Sequence, residues 1–195
     1  MQLRKKTQST ELALKTVCNV MACFLTALFF TSCGGSPPDP KLTNPQWTFA
    51  PHSIKLRYRA DDKLNEYDGV GHSTLLCIYQ LSDPNGFVTL SKTSDGLLKL
   101  LECKNFDATV VWQQRVFVQP GEDRVTYLDR AEKATFIGIA AGYNQLVPEQ
   151  STRVFEFPVV EQTKGVFTST TFRQPGKVFI NIFLGPYGLQ RVGSE

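Results

Sequence analysis

Residues Ser53-Ile54-Lys55-Leu56-Arg57-Tyr58-Arg59 alternate apolar and basic without a break from Ile54 onward. Successive side chains of an extended chain point to opposite faces, so Ile54, Leu56 and Tyr58 share one face and Lys55, Arg57 and Arg59 the other. A helix would scatter both classes around its axis. The segment is therefore a strand with one wet face and one buried face. The buried face requires a second layer to cover it.

The rest of the chain supplies candidates for that layer. Leu75-Leu76-Cys77-Ile78-Tyr79-Gln80-Leu81 is apolar on both faces, which suggests a central strand. Further strands are predicted over 115–119, 124–128, 135–141, 153–159 and 177–184, with a short edge strand over 166–170. Pro120-Gly121 marks a turn between two of them. One region is helical instead. Leu97, Leu98, Leu100 and Leu101 cluster near helical spacing, Ser94 or Asp95 can cap their start, and Phe87 and Leu90 suggest a shorter turn just before. Regular short strands around one helical insertion predict an all-β, two-sheet sandwich over residues 51–188. Gly185-Pro186-Tyr187-Gly188 is a turn, and 189–195 is a tail expected to fray. Trp47 and Phe49 are expected to staple the preceding segment onto the sandwich, and Trp112 is open between that role and a surface contact.

The first 32 residues read as a secretory signal. Arg4, Lys5, Lys6 and Lys15 precede an apolar stretch, and small residues surround Cys33. A cysteine directly after the cut is the mark of a bacterial lipobox, with Phe30 where leucine is usual. The expected result is a lipid-modified Cys33 carrying a diacylglycerol and an N-acyl chain, with no other cofactor. The alternatives are a transmembrane anchor and an ordinary signal with an incidental cysteine. Residues 17–31 are about fifteen residues against the roughly 20 needed to span a bilayer, and Asn19 interrupts them. Residues 33–50, with four prolines and two adjacent glycines, form a flexible tether. Gly34 follows the cysteine, where Asp would signal retention in the inner membrane. The predicted location is the outer membrane, facing the periplasm.

Charge and cysteines sort by that processing. The signal holds four of the 21 basic residues and one of the 18 acidic ones, so the remainder is balanced. No basic face argues for nucleic acid. Of the five cysteines, Cys18 and Cys23 leave with the signal, and Cys77 and Cys103 remain in an oxidising compartment. They are expected to bridge, the alternative being two buried thiols.

Catalytic chemistry is not signalled. His52 and His72 are the two histidines, and no nucleophile motif accompanies them. The acidic residues between Asp61 and Asp68 do not follow a calcium-loop spacing, and zinc lacks a second ligand pair. The chain is expected to be neither an enzyme nor a metal protein, with no small-molecule substrate.

The ordered features carry a family likeness. The lipobox is followed by the alternating strand, a loop rich in Asp and Asn, Leu76-Cys77-Ile78-Tyr79-Gln80-Leu81-Ser82-Asp83, a Leu-rich helix, Val118-Gln119-Pro120-Gly121-Glu122 and Phe136-Ile137-Gly138-Ile139-Ala140-Ala141-Gly142-Tyr143. Over residues 53–160 this resembles the TssJ outer-membrane lipoproteins of bacterial type VI secretion systems. A Trp-Arg pair frequent in that family is matched here only by Arg153. The resemblance implies a transthyretin-like sandwich and a scaffold that binds the periplasmic C-terminal region of the inner-membrane protein TssM. It also implies that the loop after the first strand contributes, here Asp61, Asp62, Lys63, Leu64, Asn65, Glu66, Tyr67 and Asp68. From the residues alone, Leu64 and Tyr67 among charges have the make-up of a binding hot spot. A second class stays open at this stage: a periplasmic lipoprotein that binds carbohydrate or peptide on a sandwich.

Overall fold

The computed structural model describes residues 44–164 and 170–194. The signal, Cys33, most of the tether and residues 166–169 of the expected edge strand lie outside the described residues.

The alternating segment is β1 (Ala50–Ala60). It pairs antiparallel with β4 (Asp123–Arg130) and parallel with β9 (Val178–Leu184). β10 (Leu189–Ser194) adds antiparallel to β9, giving the order β10-β9-β1-β4. The second sheet runs β3-β2-β5-β6, with β2 (Thr74–Leu81) between β3 (Val110–Val118) and β5 (Phe136–Gly142), and β6 (Thr152–Glu156) outside β5. β7 (Val159–Lys164) and β8 (Thr170–Pro175) form a separate antiparallel pair. The two larger sheets make the transthyretin-like sandwich.

Burial follows the alternation. Ile54, Leu56 and Tyr58 of β1 and Val178, Ile180, Ile182 and Leu184 of β9 enter the core between the sheets. They meet Leu76 and Ile78 of β2 and Ile137, Ile139 and Ala141 of β5. On the outer face Lys55 Nζ sits 4.7 Å from the centre of the Phe179 ring, and Arg57 Nη2 lies 2.7 Å from Asp123 Oδ2. The basic residues thus find partners without leaving water.

β2 is apolar on both faces because both faces are covered. Cys77, Tyr79 and Leu81 point away from the sandwich core into a second cluster with Phe87, Leu97 and Leu100. Those three belong to α1 (Asn85–Leu90) and α2 (Ser94–Leu100). Thr93 caps α2, its hydroxyl accepting from the Gly96 N–H at 3.1 Å, rather than Ser94 or Asp95, which lie inside the first turn. The Tyr79 hydroxyl donates to the Leu100 carbonyl, and burial pushes its pKa up to about 12. Cys77 and Cys103 are joined as a disulfide, with Cα atoms 5.3 Å apart across 26 residues, so the helical insertion is closed at its base. Gly138 of β5 makes room for the Phe87 ring, since a Cβ there would lie 2.7 Å from Phe87 Cε2.

Several boundaries differ from the sequence expectation: β3 starts at Val110 rather than at 115, and the strand expected over 153–159 is broken at Phe157-Pro158 between β6 and β7. The expected tail is the strand β10, with Leu189 buried in the core. Its order comes from pairing with β9 back across the turn at 185–188, while Leu189-Gln190-Arg191-Val192-Gly193-Ser194 lacks the alternation that would mark a strand. Trp47, within the expected tether, packs on the core with its ring 6.3 Å from Phe157, and its carbonyl accepts from the Lys133 N–H at 2.6 Å. Phe49 remains exposed.

Gly138→Ala is expected to force the Phe87 ring aside and cost about 1–3 kcal/mol, read as a lower midpoint in urea unfolding. Cys103→Ser is expected to cost about 3 kcal/mol by reopening the loop in the unfolded chain, read in the same assay without reductant.

Candidate functional site

The loop between β1 and β2, residues 61–73, is held from below by backbone bonds. The Asp61 N–H donates to the Leu184 carbonyl at 2.9 Å, and the Asp61 carbonyl accepts from Leu64 and Gly121. Asp61 Oδ1 accepts from the Lys63 N–H at 2.8 Å, a turn that Asp forms readily. Gly121, at φ +74°, belongs to the β3–β4 turn that supports the loop. A side chain is disfavoured there both by φ and by Asp62.

Leu64 is not a surface residue. It is 0% exposed and sits among the core residues between the sheets. The sequence places it on the interface because its neighbours are charged. The turn at Asp61 instead rotates it inward, and its apolar side chain fills the end of the core. Leu64 is thereby removed from the predicted contact set.

Beyond Leu64 the loop makes a small hairpin. Tyr67 and Val70 exchange backbone bonds of 3.0 and 3.1 Å around Asp68 (φ 52°) and Gly69 (φ 78°). Two central residues with positive φ suit Asp-Gly. The tip presents Tyr67, 53% exposed, and Val70, 59% exposed. The ring of Tyr67 leans toward His72 at 6.3 Å.

Two further loops meet this one. The Glu66 N–H donates to the Pro186 carbonyl at 3.0 Å, and Asn65 Oδ1 accepts from the Asn144 N–H at 2.6 Å. The three loops enclose an open cavity of about 410 Å³ lined by Asn65, Glu66, Tyr67, Asp68, Tyr143, Asn144, Gln145, Pro186 and Tyr187. Tyr187 is 55% exposed at its rim. Tyr143 is buried, its hydroxyl has no partner among the described residues, and burial raises its pKa above the usual tyrosine value. It stays protonated and able to donate or accept.

The predicted residues therefore divide by task. Asp61 and Asn65 hold the loop, Leu64 anchors it, and Asp62, Lys63, Tyr67 and Asp68 face solvent. Glu66 lines the cavity and stands 3.8 Å from Lys63. Val70, Tyr143, Asn144 and Tyr187 are site residues that the sequence did not single out. A tyrosine between glycines in a turn, as at 187, has no strand to bury it, and that was the available signal. Arg153, the residue matching the family's Trp-Arg pair, is not among the residues lining the cavity, although its charge acts on Tyr143. It ties α3 (Pro148–Ser151) to β10 through the carbonyls of Glu149 and Leu189.

An exposed aromatic rim beside acidic side chains has the composition common in protein contact surfaces. Among the described residues no group of His, Cys, Asp and Glu comes together that could hold a metal. No described helix is long and apolar enough to cross a membrane.

Residues 52–173 match the model of the family described as type VI secretion lipoprotein, VasD, EvfM, TssJ. No curated protein matches the chain. Among solved structures, the chain is similar to the type VI lipoprotein TssJ1 from Pseudomonas aeruginosa, at 18% identity and TM-score 0.55, covering 77% of this chain and 98% of that one. It is also similar to Serratia marcescens Lip, a membrane-bound component of the type VI secretion system, at 17% identity and TM-score 0.53, covering 70% and 94%. A third likeness is to a chain in the structure of the TssM C-terminal domain from EAEC, at 20% identity and TM-score 0.50, covering 70% and 94%. With the family model matched over more than half of the chain, the chain belongs to the TssJ family of type VI secretion lipoproteins.

Proposed function

We propose that this protein is the scaffold lipoprotein of a type VI secretion membrane complex. Acyl chains on Cys33 hold it in the outer membrane, residues 33–46 act as the tether, and the domain faces the periplasm. The three-loop end grips the periplasmic C-terminal region of a TssM-like inner-membrane protein. The observation that carries the reading is the exposed Tyr67 and Tyr187 around one cavity, with exposed Val70 paired to Tyr67 at the loop tip, on a TssJ-family sandwich. Chains of this fold occur in structures of the TssM C-terminal domain and of a type VI membrane complex, which supports a TssM-type partner. A single acyl chain binds a membrane marginally, and several anchor it stably, so the mature lipid suits a load-bearing post.

Two tests separate the anchor from the grip. Cys33→Ala is expected to move the protein from the membrane to the soluble periplasmic fraction and to stop secretion. Secretion at the unmodified level would defeat the anchoring reading. Tyr67→Asp is expected to weaken binding to the TssM-like periplasmic region by about tenfold or more, measured by titration, with an unchanged melting temperature. Leu64→Ala is expected to act differently. It opens the core and costs about 2–5 kcal/mol of stability, seen in unfolding curves. Equal affinity of Tyr67→Asp and the parent would remove the loop from the interface.

A further inference from the structure

A second cavity lies at a different place in the fold, and it holds a buried cation. Arg130, at the end of β4, is 3% exposed. Its guanidinium carbon sits 5.6 Å from the Trp47 ring centre and 5.7 Å from that of Phe157. Nη2 donates to the Thr48 carbonyl at 3.0 Å, and this is its one side-chain hydrogen bond among the described residues. Among the described residues Nε has no partner and no carboxylate pairs with the group. Arg57, Arg124 and Arg173 each have a carboxylate partner. Burial alone pulls the Arg130 pKa down, with no acid to oppose it. A guanidinium remains charged under ordinary conditions and carries five donors, so removing it from water without a counter-charge is unfavourable.

The cavity beside it measures about 670 Å³ and contains no acidic residue in its lining. Arg130 contributes an uncompensated positive group, Arg173 one that also bonds Glu161 at 2.9 Å, and Asn44, Gln46, Gln162 and Gln174 contribute amides. Amide N–H groups and a planar guanidinium fork suit an oxygen-rich anion. The aromatic contacts hold the guanidinium in place beforehand, which lowers the ordering cost of binding.

We propose that this cavity is an oxoanion site, taking a phosphate group with Arg130 as its charged anchor and the surrounding amides as donors. The phosphate supplies the missing counter-charge. It can come from the headgroup of an anionic phospholipid or from a free phosphate. The site is independent of the three-loop end.

Trp47 provides the readout, because it stacks on the anchoring guanidinium. The chain has two tryptophans, so Trp112→Phe leaves Trp47 as the single reporter. The full chain carrying that change would be titrated with sodium phosphate in an uncharged detergent, against sodium chloride at matched ionic strength. The expected result is a saturable change in Trp47 emission with phosphate and none with chloride. Arg130→Met is expected to abolish it. Arg173→Gln, at an exposed position, is expected to weaken it several-fold and covers the case in which Arg130→Met does not fold. The same chain in phosphate-free nanodiscs of phosphatidylglycerol or phosphatidylcholine distinguishes the sources. An emission change confined to phosphatidylglycerol supports the site with a lipid headgroup as ligand, and a change that awaits added phosphate supports it with a soluble anion. Absence of a saturable response in both phosphate and phosphatidylglycerol overturns the proposal, as does an unaltered response in a folded Arg130→Met.

Discussion

Burial of β2 on both faces is the constraint from which the architecture follows. Leu76 and Ile78 need the first sheet, while Cys77, Tyr79 and Leu81 need something else on the far side. The two short helices supply that cover. Neither would hold its shape alone, since helices of six and seven residues are far below the length that is stable in water. Their apolar contacts and the Tyr79 hydroxyl bond fix them, and the disulfide closes the insertion that carries them. Gln80 of the same strand is fully buried and is satisfied at both ends, by the Asp129 carbonyl at 2.8 Å and the Ala131 N–H at 2.7 Å. A polar side chain inside the sandwich thereby locks the second sheet to the end of β4, because an unmet amide there would cost free energy.

The parts of this fold that could be read from residues are those whose cause is local. β1 announces itself through period-two alternation, and β2 through apolar residues on both faces. The helical insertion shows in the leucines of α2, although its cap, Thr93, stands one residue earlier than the sequence suggests. What escaped reading has no strict apolar alternation of its own, even where the pairing strand is next in the chain. β10 is ordered by β9, and the β7–β8 pair carries exposed and charged residues with no buried face to mark a strand.

The site divides in the same way. Composition points to the loop but is silent on direction, and direction separates Leu64 in the core from Tyr67 at the rim. The joining of that loop to residues 143–145 and 185–188 rests on one side-chain and one backbone hydrogen bond across long separations, which no motif encodes. Only the Asp68-Gly69 pair between Tyr67 and Val70 gave a local hint of the tip.

The placement of β1 has a mechanical consequence. One end of this strand continues from Trp47 and the tether side of the chain, and its other end runs directly into the loop that carries Tyr67. Eleven residues of extended chain, about 36 Å, therefore join the two ends by a single covalent path. Ladders flank that path on both sides, parallel to β9 and antiparallel to β4. A pull along β1 loads both rows of hydrogen bonds together in shear, instead of unzipping them one at a time from an edge. Tension along this path is thus borne by a strand held on both edges.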